Sequence, residues 1–91
     1  MIVLDGRRMK TKAITHTYLA DRFHFPFYYG RNLDALADLL AGMKDEVYLF
    51  YAQDVLDAMP EYGAEVIRVF YDAEKENQDF SFWTNLGESF F

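Results

Sequence analysis

The stretch Val47-Tyr48-Leu49-Phe50-Tyr51 decides the fold. It is apolar or aromatic throughout, with almost no polar alternation, which is how a strand reads when both its faces are covered. The segments on either side are helical in pattern. Upstream, Asn32 is a good N-cap for a helix over Leu33 to Ala41, with Leu33, Leu36 and Leu40 as its buried stripe and Gly42 as its C-terminal stop. Downstream, a short helix is expected over Asp54 to Met59. Pro60 and Gly63 follow as punctuation, and then a helix runs from about Ala64 to Glu76 with Val66, Ile67, Val69, Phe70 and Ala73 inward.

The ends complete the pattern. Ile2-Val3-Leu4 reads as a strand closed by the turn signal Asp5-Gly6, and Arg7 to Lys10 as an exposed, basic connection. Thr11 caps a helix over Lys12 to Phe23, with Ile14, Tyr18 and either Leu19 or Phe23 along one stripe. Pro26 ends it, and Phe27 to Arg31 form a loop in which Gly30 is free to take a positive φ. Asp79 to Trp83 is the last strand, and Leu86 to Phe91 form a C-terminal extension. The order is β-α-α-β-α-α-β. Strands separated by long helical connections pair in parallel through right-handed crossovers. The expected fold is therefore α/β: one domain over residues 1–91, a small three-stranded parallel sheet packed with about four helices.

Composition narrows the function. A chain of 91 residues that is 52% hydrophobic and 19% aromatic can bury one core and is not disordered. Net charge is −6, which argues against nucleic acid or an anionic membrane as partner, because both demand a basic surface. There is no cysteine, so disulfides, zinc–thiolate sites and thiol catalysis are excluded. The longest apolar run, Val47 to Ala52, is far short of a membrane span, and no secretory segment opens the chain. The expectation is a cytoplasmic protein.

No catalytic constellation is present. Ser81 and Ser89 lie outside any nucleophile elbow, and the five glycines make no phosphate-cradling loop. His16 and His24, eight apart, read as two partly exposed histidines rather than metal ligands or bases. Asp34 and Asp38, four apart, share one helix face, where like charges cost a few tenths of a kcal/mol. An ordinary solvated face explains such a pair, and nothing completes a hard-cation site around it. The context favours binding. Tyr28 and Tyr29 come just before the pair, in a loop held by the Asn32 cap, and tyrosines are typical of interface hot spots. Rigid aromatics beside paired carboxylates suit a cationic partner.

The run Pro26-Phe27-Tyr28-Tyr29-Gly30-Arg31-Asn32-Leu33-Asp34-Ala35-Leu36-Ala37-Asp38-Leu39-Leu40-Ala41-Gly42 resembles the barstar family of ribonuclease inhibitors, as does Gly63-Ala64-Glu65 through Val69-Phe70 to Ala73. The resemblance covers most of residues 1–85. It implies an intracellular inhibitor, not an enzyme, that needs no cofactor or metal and is a monomer when free. It would block a basic secreted ribonuclease, barnase-like or another nuclease toxin, as an immunity protein. By position it implies ribonuclease-binding residues Tyr28, Tyr29, Asn32, Asp34, Asp38, Gly42 and Asp72. Asp38 matches the family's central aspartate, which takes the place of an RNA phosphate, and Asp34 the second carboxylate. Tyr28 matches the tyrosine that packs on the enzyme's catalytic histidine. This chain departs from the family at four positions: Ala37 and Met43 replace tryptophans, Asp72 replaces a glutamate, and Arg31 replaces an acidic residue. The alternative is a small acidic interaction module that keeps the fold without inhibiting a nuclease. Charge is split along the chain: residues 1–31 carry six basic and two acidic side chains, residues 32–91 three and thirteen.

Overall fold

Alternation along the strands determines which side of the sheet is filled. The computed structural model describes residues 1–86; of the expected extension only Leu86 falls within it, and the rest lies outside the described residues. Strands β1 (Ile2–Asp5), β2 (Asp45–Phe50) and β3 (Phe80–Thr84) form one parallel sheet in the order β1-β2-β3. Leu4, Val47, Leu49, Phe80 and Phe82 all point inward and are at most 2% exposed. They meet helices α1 (Lys12–Phe23), α2 (Leu33–Ala41), α3 (Ala52–Ala58) and α4 (Pro60–Glu76). Phe70 of α4 is the hub, stacked on Phe82 at 4.9 Å and on Phe80 at 6.4 Å between ring centroids.

The expected three-stranded parallel α/β fold is what forms, but among the described residues β2 is covered on one face only. A sheet whose strands add in sequence order through crossovers of one hand keeps every crossover on the same side. The other face holds Val3, Tyr48 and Trp83 in one register row, with Phe50 beside them. Val3, Phe50 and Trp83 are each 40% or more exposed. The sheet edges are occupied by side chains. Arg22 donates two hydrogen bonds to the Val3 carbonyl on β1, and the Glu74 carboxylate accepts from the Phe82 N–H on β3.

Several local readings shift. Arg7 to Lys10 is not a wholly exposed connection: Gly6–Arg8 make a 3-10 turn and Met9 is fully buried. Arg7 folds back onto the Asp5 carboxylate, whose hydrogen bonds from the guanidinium hold its pKa below the usual value. On α1 the inward residues are Thr15, His16, Leu19 and Phe23, while Ile14 is 52% exposed. The Tyr18 hydroxyl accepts from the Asp5 N–H and ties α1 to the end of β1. Tyr51, in the left-handed region at φ 53°, ends β2 early, so α3 starts at Ala52. Pro60 and Gly63 do not interrupt. Pro60 is the first residue of α4, where its missing N–H costs nothing.

Gly63 instead lets α4 lie on α3. A Cβ there would sit 2.6 Å from the Val55 carbonyl oxygen, against backbone that cannot move aside. Gly42 has open space around it and an ordinary φ of −103°. Gly63→Ala is therefore expected to lose about 1–3 kcal/mol of stability in urea unfolding. Gly42→Ala should be neutral or gain about 0.4–1 kcal/mol. Equal effects would contradict this account of the α3–α4 contact.

A carboxylate face on helices α2 and α4

The α2 helix is held from its first residue. The Asn32 side chain accepts from the Ala35 N–H at 2.7 Å and donates to the Gly30 carbonyl at 3.2 Å, joining cap and loop. The left-handed residue before the cap is Arg31 at φ 54°, not Gly30 as expected. Gly30 matters for closeness instead: a Cβ would lie 3.2 Å from Ala35 and 3.3 Å from Asn32. Arg31 can adopt the rarer conformation because its guanidinium is anchored, donating to the Thr17 hydroxyl of α1 at 2.6 Å. Its charge is thus fixed against α1.

Leu36 and Leu40 bury the inner side of α2 completely, and Leu33 packs at the margin. The opposite stripe is Asp34, Ala37, Asp38 and Ala41, all exposed. Asp34 lies in the first turn, where the helix dipole favours a negative charge; Asp38 is one turn on. Neither carboxylate has a hydrogen bond or ion pair among the described residues.

Across from this stripe runs α4. A groove of about 400 Å³ separates the two helices, floored by Ala37, Ala41, Val69 and Ala73 and walled on the α4 side by Asp72 and Glu76. Asn77 closes one end, donating to the carbonyls of Leu40 at 3.0 Å and Met43 at 2.8 Å and so satisfying the end of α2. Asp34, Asp38 and Asp72 are thereby brought to one side of the molecule. Glu76 joins them and was missed in the sequence; its spacing of four from Asp72 was the available signal. Gly42 ends α2 at the same rim, in right-handed rather than left-handed geometry.

The two tyrosines of the loop part company. Tyr28 is 74% exposed, whereas Tyr29 is only 8% exposed and packs against Phe25 at 4.8 Å. Beneath Tyr29 lies His16, which is buried rather than partly exposed as the sequence suggested. Its Nδ1 is 2.6 Å from the Tyr29 hydroxyl and its Nε2 2.6 Å from the Tyr62 hydroxyl on α4. A neutral imidazole donates to one tyrosine and accepts from the other, so both ring nitrogens are satisfied. Burial disfavours the imidazolium and lowers the His16 pKa, with the Arg31 charge acting in the same direction. Burial also pushes Tyr29 up to about 12. His24 stands apart, exposed, as the left-handed C-cap of α1.

Exposed carboxylates, a solvent-facing tyrosine and a rigid helical frame can bind cations but offer no nucleophile–base pair. Among the described residues no group of three or more His, Cys, Asp or Glu is placed to hold a metal ion, and no helix is long and apolar enough to cross a membrane. Comparison with known proteins agrees with this frame. The family model for barstar, described as the barnase inhibitor, matches residues 1–87. A Bacillus subtilis (strain 168) protein named "Putative ribonuclease inhibitor YrdF" is 35% identical over 81 residues, covering 86% of this chain and 89% of that protein.

The Tyr29–His16–Tyr62 chain gives the frame an acid sensitivity. Unfolded, the histidine titrates near 6.5; folded, its pKa is lower, so in the interval the unfolded chain binds more protons. The stabilisation is complete above about pH 6.5 and is lost as pH falls through the folded value. Thermal unfolding from pH 7.5 to 5.5 should show a falling Tm in the wild type and a flatter profile in His16→Gln. Parallel profiles in the two proteins would remove this role.

Proposed function

Because the chain belongs to the barstar family of ribonuclease inhibitors, we propose that it occupies the active site of a basic secreted ribonuclease. The observation that supports this is the pair Asp34 and Asp38: exposed, unpaired and fixed one turn apart on a capped helix. A ribonuclease holds RNA phosphates with Arg, Lys and His. Carboxylates aimed at those groups take the phosphate positions without offering a bond to cleave. Asp38 is the central phosphate mimic, Asp34 the second, and Asp72 adds charge from α4. Tyr28 packs on the enzyme's catalytic histidine. Asn32 fixes the angle of the helix, Gly42 lets the partner approach its end, and Tyr29 supports the loop from below.

Complementary charge accelerates encounter and makes it sensitive to salt. Apolar contact around the carboxylates then excludes water and strengthens each charge pair. No cofactor enters such a mechanism. The site of action is the cytoplasm of the producing cell, where the free inhibitor is a monomer that protects its host from its own nuclease toxin.

Asp38→Ala should weaken inhibition of the cognate ribonuclease by about 30- to 5,000-fold, since truncating one member of a desolvated charge pair costs about 2–5 kcal/mol. Its Tm should match the wild type, because Asp38 supports nothing in the fold. Glu65→Ala serves as the remote acidic control. Unchanged inhibition by Asp38→Ala refutes the assigned face. Failure of the wild type to hold any basic ribonuclease favours the interaction-module reading, for which Ala37 and Met43 in place of family tryptophans are the motive.

A further inference from the structure

The tip of the loop before α2 carries two aromatic rings that the fold does not use. Phe27 is 100% exposed and Tyr28 74%; the two rings meet edge to face with centroids 5.6 Å apart and planes at 80°. The Tyr29 N–H donates to the Pro26 carbonyl at 3.0 Å, which closes a turn with Phe27 and Tyr28 at its two corners. Turn corners ordinarily carry Gly, Asn, Asp, Ser or Pro.

Residues on both sides hold this tip outward. Phe25 stacks on Phe23 at 5.2 Å and packs on Tyr29, and Tyr29 is bonded to His16. Arg31, two residues beyond, is tied to Thr17 of α1. With Phe25 and Tyr29 anchored in the core, the rings between them have nowhere to go but solvent, so the pair is presented on a braced turn. The α2 stripe next to it (Asp34, Ala37, Asp38, Ala41) contains no aromatic residue. Among the described residues of the loop and α2, the exposed aromatic rings are Phe27 and Tyr28.

Resting on the ribonuclease-inhibitor reading, we propose that Phe27 is itself a contact residue and sets which ribonucleases are held. The partner's chemistry follows from its task. An enzyme that grips an RNA phosphate must also seat the neighbouring unstacked base, and proteins do this by stacking on aromatic rings or guanidinium planes. The surface flanking the phosphate-holding cations is therefore ring-accepting. Phe27, braced edge-on by Tyr28, seats on that surface while Asp34 and Asp38 engage the cations. The carboxylates supply attraction that any basic nuclease satisfies; the ring demands a matching apolar seat.

The test measures dissociation from barnase, and from a panel of other basic secreted ribonucleases, by surface plasmon resonance at several salt concentrations. Phe27→Ser, Phe27→Trp and Asp38→Ala are compared with the wild type. Because Phe27 is fully exposed, all the variants should fold with unchanged Tm. Phe27→Ser is expected to dissociate at least about tenfold faster with the same salt slope, since the lost contact is apolar, and Phe27→Trp to restore slow dissociation. Asp38→Ala should instead flatten the salt dependence. Phe27→Ser dissociating like the wild type while Asp38→Ala collapses overturns the proposal and leaves the inhibitor reading standing. If the wild type holds none of the ribonucleases, both fall.

Discussion

Three parallel strands that add in sequence order leave their connections no choice of side. Each crossover must span the sheet with the same hand, so all four helices are stacked on one face and compete for the same inner surface. That constraint sets nearly everything else. It makes Phe70 the common neighbour of Phe80 and Phe82, and it lays α2 and α4 beside each other although residues 42–59 separate them. It also leaves Val3, Phe50 and Trp83 on a face no helix reaches. The groove between α2 and α4, with carboxylates along its α4 wall, follows from this crowding: small residues at 37, 41 and 73 leave a space that larger ones would close.

The second constraint is polar. Loop 24–32 packs Phe25 and Tyr29 inward, yet it must present Phe27 and Tyr28 to solvent without collapsing. It is held by specific bonds: Asn32 across Gly30 and Ala35, Arg31 onto Thr17, and Tyr29 onto a buried histidine that also reaches Tyr62. The imidazole is well suited to this because it has a donor and an acceptor on opposite edges of one rigid ring, and so bridges two hydroxyls from separate elements. Loop, α1 and α4 are thereby joined through one buried histidine and the Arg31–Thr17 bond. A neutral His16 is part of the fold, and its low pKa is the electrostatic expression of that role.

Much of this could be read from the chain. The strands were legible because their apolar residues are β-favouring and bounded by turns; α2 was legible because Asn32, a leucine stripe and Gly42 agree on its limits. Asp34 and Asp38 could be placed on one face from spacing alone. The misreadings have physical causes. Pro60 and Gly63 break helices in isolation, yet at the first position and at a close helix contact they are suited to one. Ile14 and Met9 exchanged places because apolar character does not say which way a short segment will be turned. His16 was misjudged for a related reason: a histidine is buried only if partners satisfy it, and its partners lie 13 and 46 residues away.

The sequence by itself determined the class of fold, the order of its elements, the capped acidic helix and the family to which the chain belongs, because these depend on periodicity, caps and ungapped local pattern. Only the tertiary structure decided which tyrosine faces solvent, which histidine is buried, that Glu76 stands with Asp72 across from α2, and that the described helices leave one face of the sheet to Val3, Phe50 and Trp83. Those outcomes depend on contacts between residues distant in the chain, and such contacts exist only once the crossovers have chosen their side.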